Sequence, residues 1–218
     1  MIKLITKKKN KTGVITMKKH LRTTPEIKEF LIEADSKFSP IISAVGDIEV
    51  ELEPDLFVSL VSTIVGQQLS NKVLEIIWNR FDTLLQGEVT PEKVLNLPDE
   101  KIREVGISYR KIEYIKNLAQ KVLNGELDLV ALESFSDQEV IEKLVELKGI
   151  GVWTAEMLLI FSLGRSDVFS VRDLGLRRGV ARLYDLGDVS DDEVAKIAAK
   201  WSPYRTFASL YLWRYFSS

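Results

Sequence analysis

From Thr24 onward, apolar residues recur at three- and four-residue intervals in nearly every segment, the spacing of one face of an α-helix. Thr24-Pro25 opens a helix to about Ala34, with proline in the first turn, where its missing N–H costs nothing. Phe38 to Gly46 reads as a short apolar helix stopped by its glycine. After Glu53-Pro54, the stretch from Leu56 to about Gln67 has no wet face and is expected at the centre of a core. Ser70 is placed to cap a helix over 71–85, with Val73, Leu74, Ile77, Trp78 and Phe81 facing inward. Thr90-Pro91 and Leu97-Pro98-Asp99 each start a short helix. Ser108 caps a longer one, whose core stripe of Tyr109, Ile112, Ile115, Leu118 and Val122 ends before Gly125.

The second half continues the period. Ser136 with Glu139 has the form of a capping box and predicts a helix over 137–146. A glycine-containing turn follows, then a helix from Val152 to Leu163 closed by Gly164. Another begins near Asp173, Ser190 with Glu193 caps one over 191–200, and Pro203 opens the last, to about Phe216. Strand-like alternation is confined to Met1–Thr16 and Ile48–Leu52. The expected fold is all-α, two helical lobes around a cleft, with short strands near the N-terminus. The expected organisation is a basic arm or tail over 1–24 and one two-lobed domain over 25–218.

Composition narrows the chemistry. At 218 residues and 45% hydrophobic content the chain can bury a substantial core. No apolar run approaches the roughly 20 residues of a membrane helix, and no secretory signal is evident, so a cytoplasmic setting is expected, nucleoid-associated if bacterial. Cysteine is absent and His20 is the single histidine. Thiol nucleophiles, cysteine-held zinc and iron–sulfur clusters are therefore excluded, and no cofactor is expected. Residues 1–25 hold eight Lys or Arg and no acid; the remaining 22 basic against 32 acidic residues leave −10. Diffuse attraction cannot carry binding to a polyanion, which must rest on local dipoles and a few placed cations. The basic segment itself reads either as a solvated tail or as a DNA-contacting arm, and Met17 is an alternative start.

The run Leu147-Lys148-Gly149-Ile150-Gly151-Val152-Trp153-Thr154-Ala155 lies between two amphipathic helices. Glycine permits positive φ and close approach of the backbone to a ligand. The N-terminus of the second helix can then direct N–H groups and the positive dipole end at a phosphate, with Lys148 and Thr154 as added donors. Such contacts hold a strand without reading its sequence. The plain alternative is a tight αα turn with glycine as terminator. A monovalent cation is left open at the hairpin carbonyls near Gly149 and Gly151, and no other metal site is expected.

Leu147–Ala155 followed by Asp167-Val168-Phe169-Ser170-Val171-Arg172-Asp173 resembles the helix–hairpin–helix DNA glycosylase superfamily, most closely its alkylpurine (3-methyladenine) branch. Three further blocks agree in order. Phe38–Gly46 resembles a segment preceding the branch's wedge loop, and Ile64-Val65-Gly66-Gln67-Gln68-Leu69-Ser70 resembles that loop. Trp201-Ser202-Pro203-Tyr204-Arg205-Thr206-Phe207-Ala208, with Leu212-Trp213, resembles the C-terminal signature. The likeness covers about residues 38–216.

The resemblance implies that Asp173 is the catalytic carboxylate, set at a helix start that favours negative charge. Cleaving an N-glycosidic bond develops positive charge on the sugar, and a fixed anion stabilises it or activates water. Ser170-Val171-Arg172-Asp173 also has capping-box form, so a structural role is the alternative; Asp167 is the rival acid. A buried base must be flipped out first, and Gln68 resembles the side chain that fills the gap, with Gln67 its neighbour in contention. Trp201 resembles a base-pocket tryptophan, and Trp153 and Tyr204 are further pocket candidates, with Tyr109 weaker. Aromatic rings attract cationic purines by roughly 0.5–2 kcal/mol. Arg172, Arg177 and Arg178 stand beside Asp173, as phosphate contacts or as a solvated face.

Strand-nicking members of the superfamily carry a lysine two residues after the second hairpin glycine; this chain has Trp153 there, so no Schiff base can form at that position. The implied enzyme is monofunctional and is expected to be a monomer acting on duplex DNA with damaged bases, with no membrane partner. The Gly-Pro-Asp tripeptide common in the superfamily reads Val171-Arg172-Asp173 here. Another lesion (a deaminated or oxidised base), a non-catalytic helix–hairpin–helix DNA-binding module and a plain helical interaction protein are the alternatives.

Overall fold

The structure is a computed structural model that describes residues 19–216. The strand expected over Met1–Thr16 and most of the basic arm lie outside those residues. In chain order the elements begin β1 (His20–Arg22), α1 (Pro25–Ala34), α2 (Phe38–Val45), β2 (Glu49–Glu51), α3 (Leu56–Gly66) and α4 (Asn71–Leu84). They continue α5 (Pro91–Asn96), α6 (Asp99–Glu104), α7 (Tyr109–Leu123), α8 (Asp137–Val145), α9 (Val152–Phe161), α10 (Leu174–Tyr184), α11 (Asp191–Ala199) and α12 (Arg205–Phe216). Among the described residues the all-α expectation holds, with one two-stranded ribbon. The chain divides into two compact units, residues 19–52 with 159–216 and residues 53–158.

In the first unit, β1 and β2 pair antiparallel with Leu21 opposite Val50. Leu21 is buried, so the boundary expected at residue 24 falls inside this unit: a short strand takes up the end of the basic segment. Helix α12 is buried all along Thr206–Trp213 and packs on α2 and α10. Its polar groups are spent internally. Tyr211 Oη donates to Gly46 O at 3.1 Å, and Thr206 Oγ1 donates to Arg165 O at 2.7 Å, as buried donors require. Ser190 and Glu193 form the expected reciprocal capping box on α11, a device whose N-cap half is worth about 1 kcal/mol.

In the second unit α3 is the central helix, apolar and buried over Leu56–Ser62, packed against α4 and α7. Ser70, Ser108 and Ser136 cap α4, α7 and α8 as their sequences predict. The inward stripe of α4 is narrower than expected. Leu74, Trp78 and Phe81 are buried while Val73 is exposed, because the 3.6-residue period through 74, 78 and 81 turns residue 73 off that face. Tyr109 is exposed for a similar reason: it is the first residue of α7, beyond the stripe formed by Ile112, Ile115 and Leu118.

Candidate functional site

The hairpin between α8 and α9 belongs to the second unit. Gly149 has φ +84°, and a Cβ there would stand 2.1 Å from Tyr114 Cδ2. Both the backbone conformation and the ring beside it demand glycine. Gly151 differs: its φ is ordinary, and a Cβ would meet nothing within 4 Å. Folding does not require glycine at this exposed position, which leaves the backbone open to close approach from outside. The ladder of α9 begins with Ala155 N–H donating to Gly151 O at 3.1 Å. The amides of its first turn therefore face out of the helix N-terminus, where an anion is favoured.

Lys148 stands at the hairpin with its Nζ 3.1 Å from Glu113 Oε1; both side chains are well exposed. Such a pair is worth at most about 1 kcal/mol, so the ammonium can leave it for a phosphate. Thr154 corrects the expectation. It is buried, 4% exposed, because this position of the first turn faces the core like Ala155 after it, and its hydroxyl is not presented to solvent. The Gly149 carbonyl, one of those at which a monovalent cation is left open, accepts the Gln67 side-chain amide at 2.7 Å.

That bond separates the two glutamines. Gln67 turns its side chain into the protein, whereas Gln68 is exposed with φ +59°. Leu69 N–H closes the turn on Gly66 O at 3.1 Å. A left-handed glutamine costs roughly 1–2 kcal/mol, and it persists where neighbours over-determine it.

The carboxylate sits in the first unit. Asp173 is the N-cap of α10, with Oδ1 accepting from Leu176 N at 2.8 Å and from Trp213 Nε1 at 2.9 Å. The helix starts after Asp173, so Ser170 does not cap it and the capping-box reading of residues 170–173 gives way to Asp173 as cap. The Trp213 ring is stacked on Phe161 at 6.0 Å between centroids, with 26° between planes. A Cβ on Gly175 would come within 3.1 Å of Asp173 Oδ1 and 3.2 Å of Trp213 Cδ1, so the glycine admits this bond. Asp173 is half-buried, and the next two residues, Leu174 and Gly175, are exposed. The carboxylate is thus capped, braced by an aromatic N–H and still at a surface. Nothing in the helical period singles out Trp213 or Tyr114; their roles come from contacts across 40 and 35 residues of sequence.

Asp167 is a structural acid. It accepts from Arg205 Nε at 2.7 Å, Arg205 Nη2 at 3.0 Å and Ser202 Oγ at 2.8 Å. Burial pushes its carboxyl up, but the bonds from Arg205 and Ser202 together outweigh it and hold the group below its ordinary value. Arg177 is likewise committed, to Asp191 Oδ1 at 3.0 Å and to the Val189 carbonyl, which leaves Arg172 and Arg178 as the exposed cations of the trio.

The aromatic candidates fare differently. Trp201 is 0% exposed, edge-on to Phe38 at 5.1 Å and tilted against Phe169 at 5.5 Å, with Nε1 donating to Asp35 Oδ2 at 3.4 Å. Its ring has no open face for a base in this conformation, contrary to the expectation of a pocket wall: the C-terminal motif builds core here. Tyr204 is half-buried against Phe30, 5.2 Å between centroids. Trp153, in the first turn of α9, is half-buried.

Residues 61–203 match the model of the HhH-GPD superfamily of base excision DNA repair proteins. A relative in Schizosaccharomyces pombe, DNA-3-methyladenine glycosylase 1, is 38% identical over 159 residues, 71% of this chain and 70% of that protein. Among solved structures, a DNA-3-methyladenine glycosidase from Bacillus halodurans is 42% identical with a TM-score of 0.79, covering 90% of this chain and 91% of that one. The S. pombe 3-methyladenine DNA glycosylase in complex with abasic DNA is 33% identical with a TM-score of 0.77, covering 87% and 95%.

The two hairpin glycines are expected to separate fold from binding. Gly149→Ala should lower unfolding free energy by about 2 kcal/mol or more, through the Tyr114 clash and the positive φ. Gly151→Ala should leave thermal stability near wild type and weaken duplex DNA binding in a fluorescence-anisotropy titration. Equal stability losses in the two variants would contradict the assignment.

Proposed function

The chain belongs to the HhH-GPD superfamily of base excision DNA repair proteins, and from that premise we propose that it is a monofunctional DNA glycosylase. It removes alkylated, cationic purines such as 3-methyladenine or 7-methylguanine from duplex DNA and leaves an abasic site. The observation that carries the reading is the Asp173 carboxylate, fixed through Oδ1 by Trp213 and Leu176 beside exposed backbone.

The chemistry follows from charge. A cationic purine is already a good leaving group, so its departure needs no general acid; the positive charge that grows on the deoxyribose needs an anion. Asp173 supplies it, pre-oriented so that little reorganisation accompanies bond breaking. Water then completes the hydrolysis, with the same carboxylate positioned to accept its proton. Gln68 fills the stack vacated by the everted nucleotide, and Gly149, Gly151 and Lys148 hold the strand by its phosphate. With Trp201 enclosed, the half-buried Trp153 and Tyr204 remain as the candidate rings for attracting a cationic base. Because Trp153 also stands where strand-nicking relatives carry lysine, no covalent imine forms and the backbone is left intact.

Asp173→Asn should slow base release from methylated duplex by roughly a hundredfold or more while retaining DNA binding; full activity would refute the assignment. Asp167→Asn is expected to cost about 1–3 kcal/mol of stability and leave release by the folded protein near the wild-type rate. Because Asp167 is held below its ordinary value of 3.8, the stability it contributes is complete above that value and is lost as pH falls through the lowered one. Chemical denaturation of wild type and variant between neutral and acid pH should therefore converge at the acid end. Borohydride added during turnover should trap no protein–DNA adduct; a trapped adduct would overturn the monofunctional assignment.

A further inference from the structure

We propose that Lys111 and Gln67 tether the Gln68 turn to the hairpin, so that seating the hairpin on a phosphate sets the depth at which Gln68 enters the base stack. The proposal rests on the base-everting function above and names a positioning residue, Lys111, that lies outside every motif of the sequence.

Helix α3 ends at Gly66 with its last carbonyls lacking helical donors, and its own last turn contains no basic residue. The missing cation arrives from another element. Lys111, in the first turn of α7, donates from Nζ to Val65 O and to Gln67 O, each at 2.8 Å. An ammonium at a helix C-terminus is favoured by the dipole and by the two carbonyls it satisfies. Lys111 pairs with no carboxylate among the described residues, and its site is partly desolvated. Burial, and then the neighbouring Arg110 charge, draw its pKa below the ordinary lysine value. A lysine placed this way is committed to the turn.

The second link runs the other way. Gln67 Nε2 donates to Gly149 O at 2.7 Å, so the residue whose carbonyl Lys111 holds also grips the hairpin backbone. Tyr114, one turn beyond Lys111 on α7, forms the wall against Gly149, and Arg110 lies 5.8 Å from its ring centroid. Helix α7 therefore supports both the turn and the hairpin, all within the second unit. Gln68, the exposed left-handed residue between two held neighbours, has little freedom to retreat. A probe that must enter a base stack gains from this, since a loose loop would yield before the stack does.

The test compares single-turnover base release from one lesion in two settings: a fully paired duplex, and a short mismatched bubble in which the base is already unstacked. Lys111→Met keeps the aliphatic stem and removes the donor. It should slow duplex release about tenfold and bubble release far less, whereas Lys111→Arg, which keeps the charge, should recover much of the duplex rate. Gln67→Ala should show the same duplex-selective loss, and it decides the matter alone if Lys111→Met fails to fold. Losses equal in both settings, or no loss, would overturn the tether. A wild-type protein that releases no base from either substrate would instead overturn the glycosylase function, so the two failures are distinguishable.

Discussion

The backbone at Gly149 is the constraint on which the helix–hairpin–helix part of this molecule depends. Its positive φ turns the chain sharply between α8 and α9, and the Tyr114 ring lies where any side chain would have to go. The turn fixes where α9 begins, and hence where the first-turn amides point. It also presents the Gly149 carbonyl to Gln67. A single residue without a Cβ thereby determines the shape of the hairpin and one attachment point of the Gln67-Gln68 turn. The energy behind it is modest per contact, but the contacts share one backbone and so reinforce one another.

The carboxylate follows a different logic. Asp173 does two jobs with one side chain, capping α10 through Oδ1 while remaining half-exposed at the helix N-terminus. Structural and catalytic readings of such a residue are not rivals, because the cap is what holds the anion in place. Trp213 adds a second donor to the same oxygen and is itself held by stacking on Phe161. Asp167 shows the contrast: four bonds from Arg205 and Ser202 consume both of its oxygens. Two acids six residues apart are thus separated by their donors rather than by their positions in sequence.

A chain with a net charge of −2 is not drawn to DNA by its overall field. Backbone amides, a helix dipole and a lysine in a weak surface pair act only at short range, and contacts of that kind to a phosphate favour no base. That suits an enzyme that must sample many sites and act on few, with discrimination left to the ease of everting the base and to the positive charge the lesion carries.

Sequence alone determined the helices, because capping serines, prolines in first turns and apolar stripes are local signals: Ser70, Ser108, Ser136 and Ser190 each cap the helix they precede. The hairpin and Asp173 were legible for the same reason, as a short motif and a helix start. Side-chain direction and long-range partners were not. Thr154 and Trp201 carry the residue types a binding surface would use, yet both are buried, and what sets the Gln67 side chain apart from Gln68 is a bond to a carbonyl 82 residues away. Lys111 and Tyr114 carry no local signal, and the Leu212-Trp213 block did not show which partner Trp213 meets, since these roles exist only where distant segments meet. Short-range periodicity records which face of an element is apolar, whereas a hydrogen bond between remote residues depends on the packing that brings them together, and that is decided in three dimensions.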